Sequence, residues 1–420
     1  MSLSAALFQN HPARDAALRE LHARPALQLE AKNALILRFV FTFEPSETAR
    51  DTALIEALCL ESQVAPPDQR SRALQFRWRG LMTRWERHNE FVTYTFIAYG
   101  LADEERLSEA ADRLFETQPG LLVAKLKLTI KRTSEAFIPS PDFLCASLVG
   151  KGRAMLQTSF TDDAEGAVNF NLTCGEVSDG EVGTLAQHVM EVEMYRMLAL
   201  LALPIARRVG AVVRDAENEV GSLTQRLSDP ASEDAVEELF NELTAVSGGI
   251  EREIATSTYR FSAARAYGAL VEERLQRLQE EEIGGRPRIG SFMMTRLIPA
   301  LRTCESMHFA LKDLADRTTR LMDLIRTRID LQLSRQNVAL LTVINRRTQL
   351  QFRLQQTVEG LSVAAISYYI LGLMTYVVKG AATAGLFKIE SEILHAALVP
   401  PVVLVIWLGI RRLRKQHGLD

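Results

Sequence analysis

Hydrophobic positions follow three different periods along the chain. Up to about Gly180, short runs rich in β-branched and aromatic residues recur: "ALILRFVFTF" (34–43), "EFVTYTFIAYG" (90–100), "GLLVAKLKLTI" (120–130), "FLCASLV" (143–149), "AMLQTSF" (154–160) and "GAVNFNLTC" (166–174). Turn-forming clusters such as "DDAEG" and "SDG" separate them, which is the pattern of strands. Between the runs, "RDAALRELHAR" (14–24), "ETARDTALIEALCLES" (47–62) and "DEERLSEAADRLFET" (103–117) repeat apolar residues at helical spacing. Residues 1–180 therefore read as an α/β domain. After Gly180 the strand signals stop. One helical pattern runs over 181–229 and a second over 231–282, with Gly248-Gly249 as a break. "IGGRP" (283–287) turns the chain, and a third helix starts near Ile289 and meets no glycine or proline between Pro299 and Gly360.

This third helix continues a seam. Leu333, Leu340, Arg347, Leu354 and Leu361 fall seven apart, and Ile329, Gln336, Val343, Leu350 and Thr357 fill the intermediate step. Two readings stay open for the 181–360 stalk region, packing within the chain and self-association into a homo-oligomer. The apolar stretch Met197 to Ala206 is too short to span a bilayer, contains Pro204 and ends at Arg207-Arg208, so it reads as buried core.

The seam enters an uncharged run, Leu361 to Val378, which at a rise of about 1.5 Å per residue matches a hydrocarbon core of roughly 30 Å. A second apolar run, 393–410, contains Pro400-Pro401. The organisation expected is a first transmembrane helix at 361–378, an outer loop at 379–392, a second transmembrane helix at 393–410 and a basic tail at 411–420. Arg346, Arg347 and Arg353 precede the first run, and Arg411, Arg412, Arg414 and Lys415 follow the second. The positive-inside rule places both termini in the cytosol, with Trp407 near the inner interface and Tyr376 near the outer one. The fold class expected is α+β: an α/β cytosolic domain, a long antiparallel helical stalk and a C-terminal two-helix transmembrane hairpin.

Within the first run, Ser362, Ala365, Tyr369, Gly372 and Tyr376 share one face beside the seam. Three readings compete for it: polar packing against a helix, interfacial placement of tyrosine, and a water-lined pore for an inorganic ion. Lys379, Glu390 and Glu392 would stand at the outer mouth of such a pore, or in a solvated loop.

Composition narrows the rest. With 420 residues and a net charge of −3, the chain has no overall electrostatic footprint for nucleic acid. Cys59, Cys145, Cys174 and Cys304 are scattered and form no C-x-x-C pair, which suits a reducing compartment. The opening "MSLSAALFQNHPARD" lacks a basic n-region, so no signal peptide is expected. Cys304 with His308, and His188 with Glu191, each lie one helical turn apart, but two ligands do not make a metal site. "RWRGLMTRWERH" (77–88) reads as a helix with Arg77, Arg84 and His88 on one face beside Trp78 and Trp85, either structural or a small-anion or headgroup site. "LHARP" (21–25) places His22 and Arg24 at a helix end enforced by Pro25. No nucleophile–base pair and no phosphate-binding glycine loop is present, so neither catalysis nor a cofactor is expected.

Several motifs carry a resemblance. "LHARP" (21–25), "WERHNEFVTYTF" (85–96), "YRMLALLALPIAR" (195–207), "PALRTC" (299–304), "RTRIDLQLSRQN" (326–337) and "LQQTVEGLSVAAISYYILGL" (354–373) together resemble the membrane-anchored bacterial proteins of domain of unknown function 3422. The resemblance covers essentially the whole chain and implies a bacterial inner-membrane protein, without implying an activity. The order of elements also resembles that of CorA-type magnesium channels, which implies a pentameric stalk and a pore lined by the first span. Those channels carry Gly-Met-Asn at the outer end of that span, where this chain has Tyr376-Val377-Val378-Lys379-Gly380.

Overall fold

A computed structural model describes residues 11, 14, 27, 29, 33–43, 48–68, 71–100, 104–229, 236–383 and 391–416; the side chains of 382–383, 391–395 and 413–416 are outside that description. The chain forms two compact units, Met1–Met322 and Asp323–Asp420. The motif at 21–25 lies outside the described residues.

In the first unit, β1 (Ala34–Thr42), β2 (Ala73–Trp78), β3 (Leu81–Arg87), β4 (Phe91–Tyr99), β5 (Leu121–Arg132), β6 (Cys145–Val149), β7 (Ala154–Asp162), β8 (Val168–Cys174) and β9 (Glu281–Glu282) make one sheet. Their order is β2-β3-β4-β1-β5-β8-β7-β6-β9. Only β5 and β8 pair in parallel. The sequence of β1 explains its central place, because both of its faces are apolar and both are covered. Ala34, Ile36 and Val40 enter one core. Leu35, Leu37, Phe39 and Phe41 enter the other.

Helices α1 (Thr48–Glu61) and α2 (Glu104–Thr117) cover the second of these cores with Leu54, Ile55, Leu58, Leu107 and Leu114. The first core is closed by α3 (Asp179–Leu200), the C-terminal part of α5 (Val236–Leu278) and the start of α6 (Ile289–Thr383). The change in patterning near Gly180 thus falls inside one packed unit. A capping box, Ser178 with Glu181, starts α3 by satisfying two otherwise orphaned backbone donors. Helix α4 (Ala202–Ser228) runs antiparallel to α5, as the ion pairs Arg208–Glu253 and Arg226–Glu242 fix.

Four expectations need correction. Residues 77–88 are not a helix: β2 and β3 form a hairpin whose turn, Arg79-Gly80, has φ of +46° and +86°. Two positive φ values are the primed turn that matches strand twist, and Trp78 and Trp85 then point into the α1/α2 core together. Arg77 is exposed while Arg84 is buried, so the expected Arg77–Arg84–His88 face does not exist. The 181–229 pattern is two helices that meet at Leu201, and Pro204 sits in the first turn of α4, where its missing N–H costs least. Gly248-Gly249 does not break α5. The second helix stops at Leu278, and Glu281-Glu282 adds β9 to the edge of β6. Met197 to Ala206 meets its expectation, with Leu198, Ala199, Ala202 and Ala206 buried.

All four cysteines are buried and free. Burial pushes the thiols of Cys145 and Cys174 up to about 11. Above about pH 9 the unfolded chain therefore loses thiol protons that the folded chain keeps, so stability falls as pH rises through about 11. Tyr94 is shifted the same way, by burial and then by Asp51, and adds to the loss above about pH 10. A lower urea midpoint at pH 10.5 than at pH 8 is expected, together with no reaction of the native thiols with a thiol reagent at pH 8 until the body is unfolded.

Candidate functional site

The second unit contains the rest of α6 and α7 (Ser391–Gln416). Helix α6 is continuous over 95 residues, roughly 140 Å at the helical rise. The seam positions are all bare: Leu333 is 57 % exposed, Leu340 60 %, Val343 51 %, Leu350 59 % and Leu354 66 %. Leu341, Ile344 and Phe352 widen the apolar surface beyond a two-position stripe. From Leu331 to Val358 the only charges are Arg335, Arg346, Arg347 and Arg353. No intrachain partner covers this surface among the described residues. Such a run of exposed apolar side chains is more extended than singly scattered surface residues.

Among the described residues, α6 is the one helix long and apolar enough to cross a membrane, and its most apolar window is almost wholly uncovered. It extends to Thr383, past the expected end at Val378, so Tyr376 to Gly380 is helix and Lys379 is not in a loop. Nothing in Thr375 to Thr383 has the glycine-rich or proline-containing pattern that would stop it earlier. Glu390 lies outside the described residues, and Glu392 belongs to α7 with its side chain outside the description. The basic residues from Arg411 continue α7 and do not form a separate tail.

Helix α7 lies antiparallel to the end of α6: Gln356, Glu359, Gly360 and Val363 share a cavity of about 300 Å³ with Trp407, Ile410 and Arg411. The covered line on α6 is Val363, Ser367 and Ile370-Leu371, and Leu398, Val402, Ile406 and Ile410 form the corresponding line on α7. The hydroxyl-bearing face predicted from the sequence is a different one. Ala365, Tyr369, Gly372 and Tyr376 are exposed, so α7 does not cover them, whereas Ser362 is half-buried like Val363 at the edge of the covered line. The Ser362 hydroxyl donates to the Val358 carbonyl at 2.8 Å, which satisfies it inside its own helix. Ser367, 4 % exposed, has no hydrogen-bond partner.

The first unit holds an ionic cluster that the sequence does not announce. Arg38 on β1 and Arg84 on β3 both donate to Glu86, at 3.2 and 2.9 Å, and all three are buried on the sheet face under α3. Arg38 and Arg84 flank Thr95 across three adjacent strands, since each is in register with it. On the opposite face Asp51 of α1 accepts from Trp85 Nε1 at 3.1 Å, Tyr94 Oη at 2.6 Å and Arg87 Nε at 2.8 Å. The β3–β4 turn is tied to α5, because Tyr259, Tyr267 and Arg260 all reach the Glu90 carboxylate. Beside that tie is a cleft of about 260 Å³ walled by Arg72, His88, Asn89, Phe91, Tyr195 and Tyr267.

Of the two sequence-spaced pairs, Cys304 and His308 share a cavity of about 210 Å³ between α5 and α6 with Phe261, Arg265 and Glu305. Burial raises the Cys304 thiol, so it is not an activated nucleophile. Glu191 is taken by Arg274 and by Gln187, and burial lowers the pKa of His188. No group of three or more His, Cys, Asp or Glu suited to a metal occurs among the described residues.

The family model described as protein of unknown function (DUF3422) matches residues 9–417. No curated protein and no solved structure matches the chain. None of the comparisons shows the likeness to CorA-type channels.

Proposed function

Taking as premise that the chain belongs to the DUF3422 family, we propose that it is a homo-oligomeric protein of the bacterial inner membrane, anchored by a two-helix hairpin, which holds a cytosolic body on a self-associating stalk. The observation that carries this reading is the bare seam of α6, continuous with the membrane-length segment in a single helix. Apolar surface of this extent on an isolated helix is stabilised only when another helix covers it. The basic residues before Leu361 and from Arg411 onward favour the cytosol for both ends by the positive-inside rule. Light scattering in detergent tests the reading: several copies per particle are expected, and a single chain of 46.9 kDa would overturn it.

Passage of an inorganic ion along the first span is a second reading, supported by one feature. The face bearing Tyr369 and Tyr376 is left open by α7, with Ser362 half-buried at its edge, and lies on the helix that carries the seam, so oligomerisation would bring copies of it together. Ion flux in liposomes is the test. Replacing Ser362 and Tyr369 with leucine should lower flux on the order of tenfold if that face lines the path. Unchanged flux, or none in the parent protein, leaves the anchored scaffold as the function.

A further inference from the structure

We propose that the cavity between the two helices of the second unit is a binding site for the phosphate headgroup of an anionic phospholipid. This rests on the membrane reading above. The cavity of about 300 Å³ is framed by Gln356, Glu359, Gly360 and Val363 on α6 and by Trp407, Ile410 and Arg411 on α7. It stands where α6 passes from its arginine-bearing stalk to the uncharged run that begins at Leu361, which is the depth of a headgroup layer.

Three features suit a lipid phosphate. The Arg411 guanidinium lies over the Trp407 ring at 5.1 Å from its centroid, so an aromatic wall holds the charged fork in place at an interface where indoles settle. Arginine presents paired N–H donors that match phosphate oxygens. The lining also mixes the polar Gln356 and Arg411 with the apolar Val363 and Ile410, which matches a phosphate joined to a glycerol and acyl chain better than a free ion. Arg353 and Arg412 add positive charge nearby, while Glu359 is already engaged in an interaction of its own. Basic pockets between helices on the cytoplasmic side are a recurrent form of headgroup recognition. Gly360 lines the cavity with open space beside it, since a Cβ there would meet nothing within 4 Å, so a larger side chain can be placed there without a clash.

Trp407 is a built-in reporter, since Trp78 and Trp85 are buried in the first unit. Full-length protein is reconstituted in zwitterionic phosphatidylcholine vesicles containing a minor fraction of either brominated phosphatidylglycerol or brominated phosphatidylcholine. A Trp407→Phe protein identifies the part of the emission that belongs to Trp407. The site predicts that the anionic brominated lipid is enriched about fivefold beside Trp407. Arg411→Gln should abolish the preference, and so should Gly360→Leu, which fills the cavity without changing charge and so separates a built site from diffuse attraction. Arg335→Gln, on the stalk, should leave it intact.

Equal quenching by the two lipids would overturn the headgroup site while leaving the membrane reading standing. No quenching by either would sink the membrane reading and this inference with it. A preference that survives Gly360→Leu, or that free inorganic phosphate removes, would also overturn the lipid assignment.

Discussion

Glu86→Ala is expected to cost the folded body about 3–5 kcal/mol, which removes a large part of the stability of an ordinary domain. The reason is electrostatic. Arg38 and Arg84 are each 4 % exposed and both donate to Glu86, so removing the carboxylate leaves two guanidinium charges in the interior without it. Thr93 and Met194 offer Arg38 only neutral acceptors, which cannot offset the charge. The loss is set by what remains unpaired, so replacing the arginines with methionine and Glu86 with leucine together should restore most of the stability. An exposed pair behaves differently. Arg153 and Glu181 are each 45 % exposed at the start of α3, and Arg153→Gln should cost less than about 1 kcal/mol. Urea unfolding followed by the emission of Trp78 and Trp85 measures all three, and similar costs for Glu86→Ala and Arg153→Gln would contradict this account of the cluster.

Leu340→Asp combined with Leu354→Asp is expected to reduce the particle to a single chain. These positions are 60 % and 66 % exposed in one chain, so the substitutions should leave the body's fold and its unfolding midpoint unchanged. In an assembled seam the same carboxylates would be buried without partners, at several kcal/mol for each subunit. That exceeds what the remaining apolar contacts of Leu333, Val343 and Leu350 can offset. Thr342→Asp, on the same stretch but on the side away from the seam and from Leu341, Ile344 and Phe352, is the control: its hydroxyl only bonds the Val338 carbonyl. If the double aspartate and the control have the same mass, the seam is not the subunit contact.

The parts of this architecture that were legible in the sequence are those in which one period dominates. β1, β4, β5 and β8 are apolar on both faces or alternate cleanly, and their runs lie where the sequence predicted strands. The β2–β3 hairpin was misread because arginine and tryptophan recur at helical spacing there, and the turn signal is a single glycine preceded by an arginine that adopts positive φ. β9 has no strand signal at all: two glutamates pair with β6 because the chain returns past its edge. The ionic cluster could not be read, since Arg38 and Glu86 are 48 positions apart and become neighbours only through sheet register. Sequence spacing puts Ser362, Tyr369 and Tyr376 along one side of α6 but says nothing of what surrounds them. That α7 covers a neighbouring line through Val363 and Ser367 depends on how two helices rotate against each other, which no single-helix period encodes.

The central claim is that α6 meets its own copy along the seam. Leu340→Cys tests it most directly, because the equivalent position in a parallel, in-register neighbour lies within disulfide reach. The native cysteines are buried in the body and do not compete. Mild oxidation in membranes should then give covalent dimers through residue 340 and none through Thr342→Cys. No cross-link at 340, or equal cross-linking at both positions, would contradict a self-associating stalk.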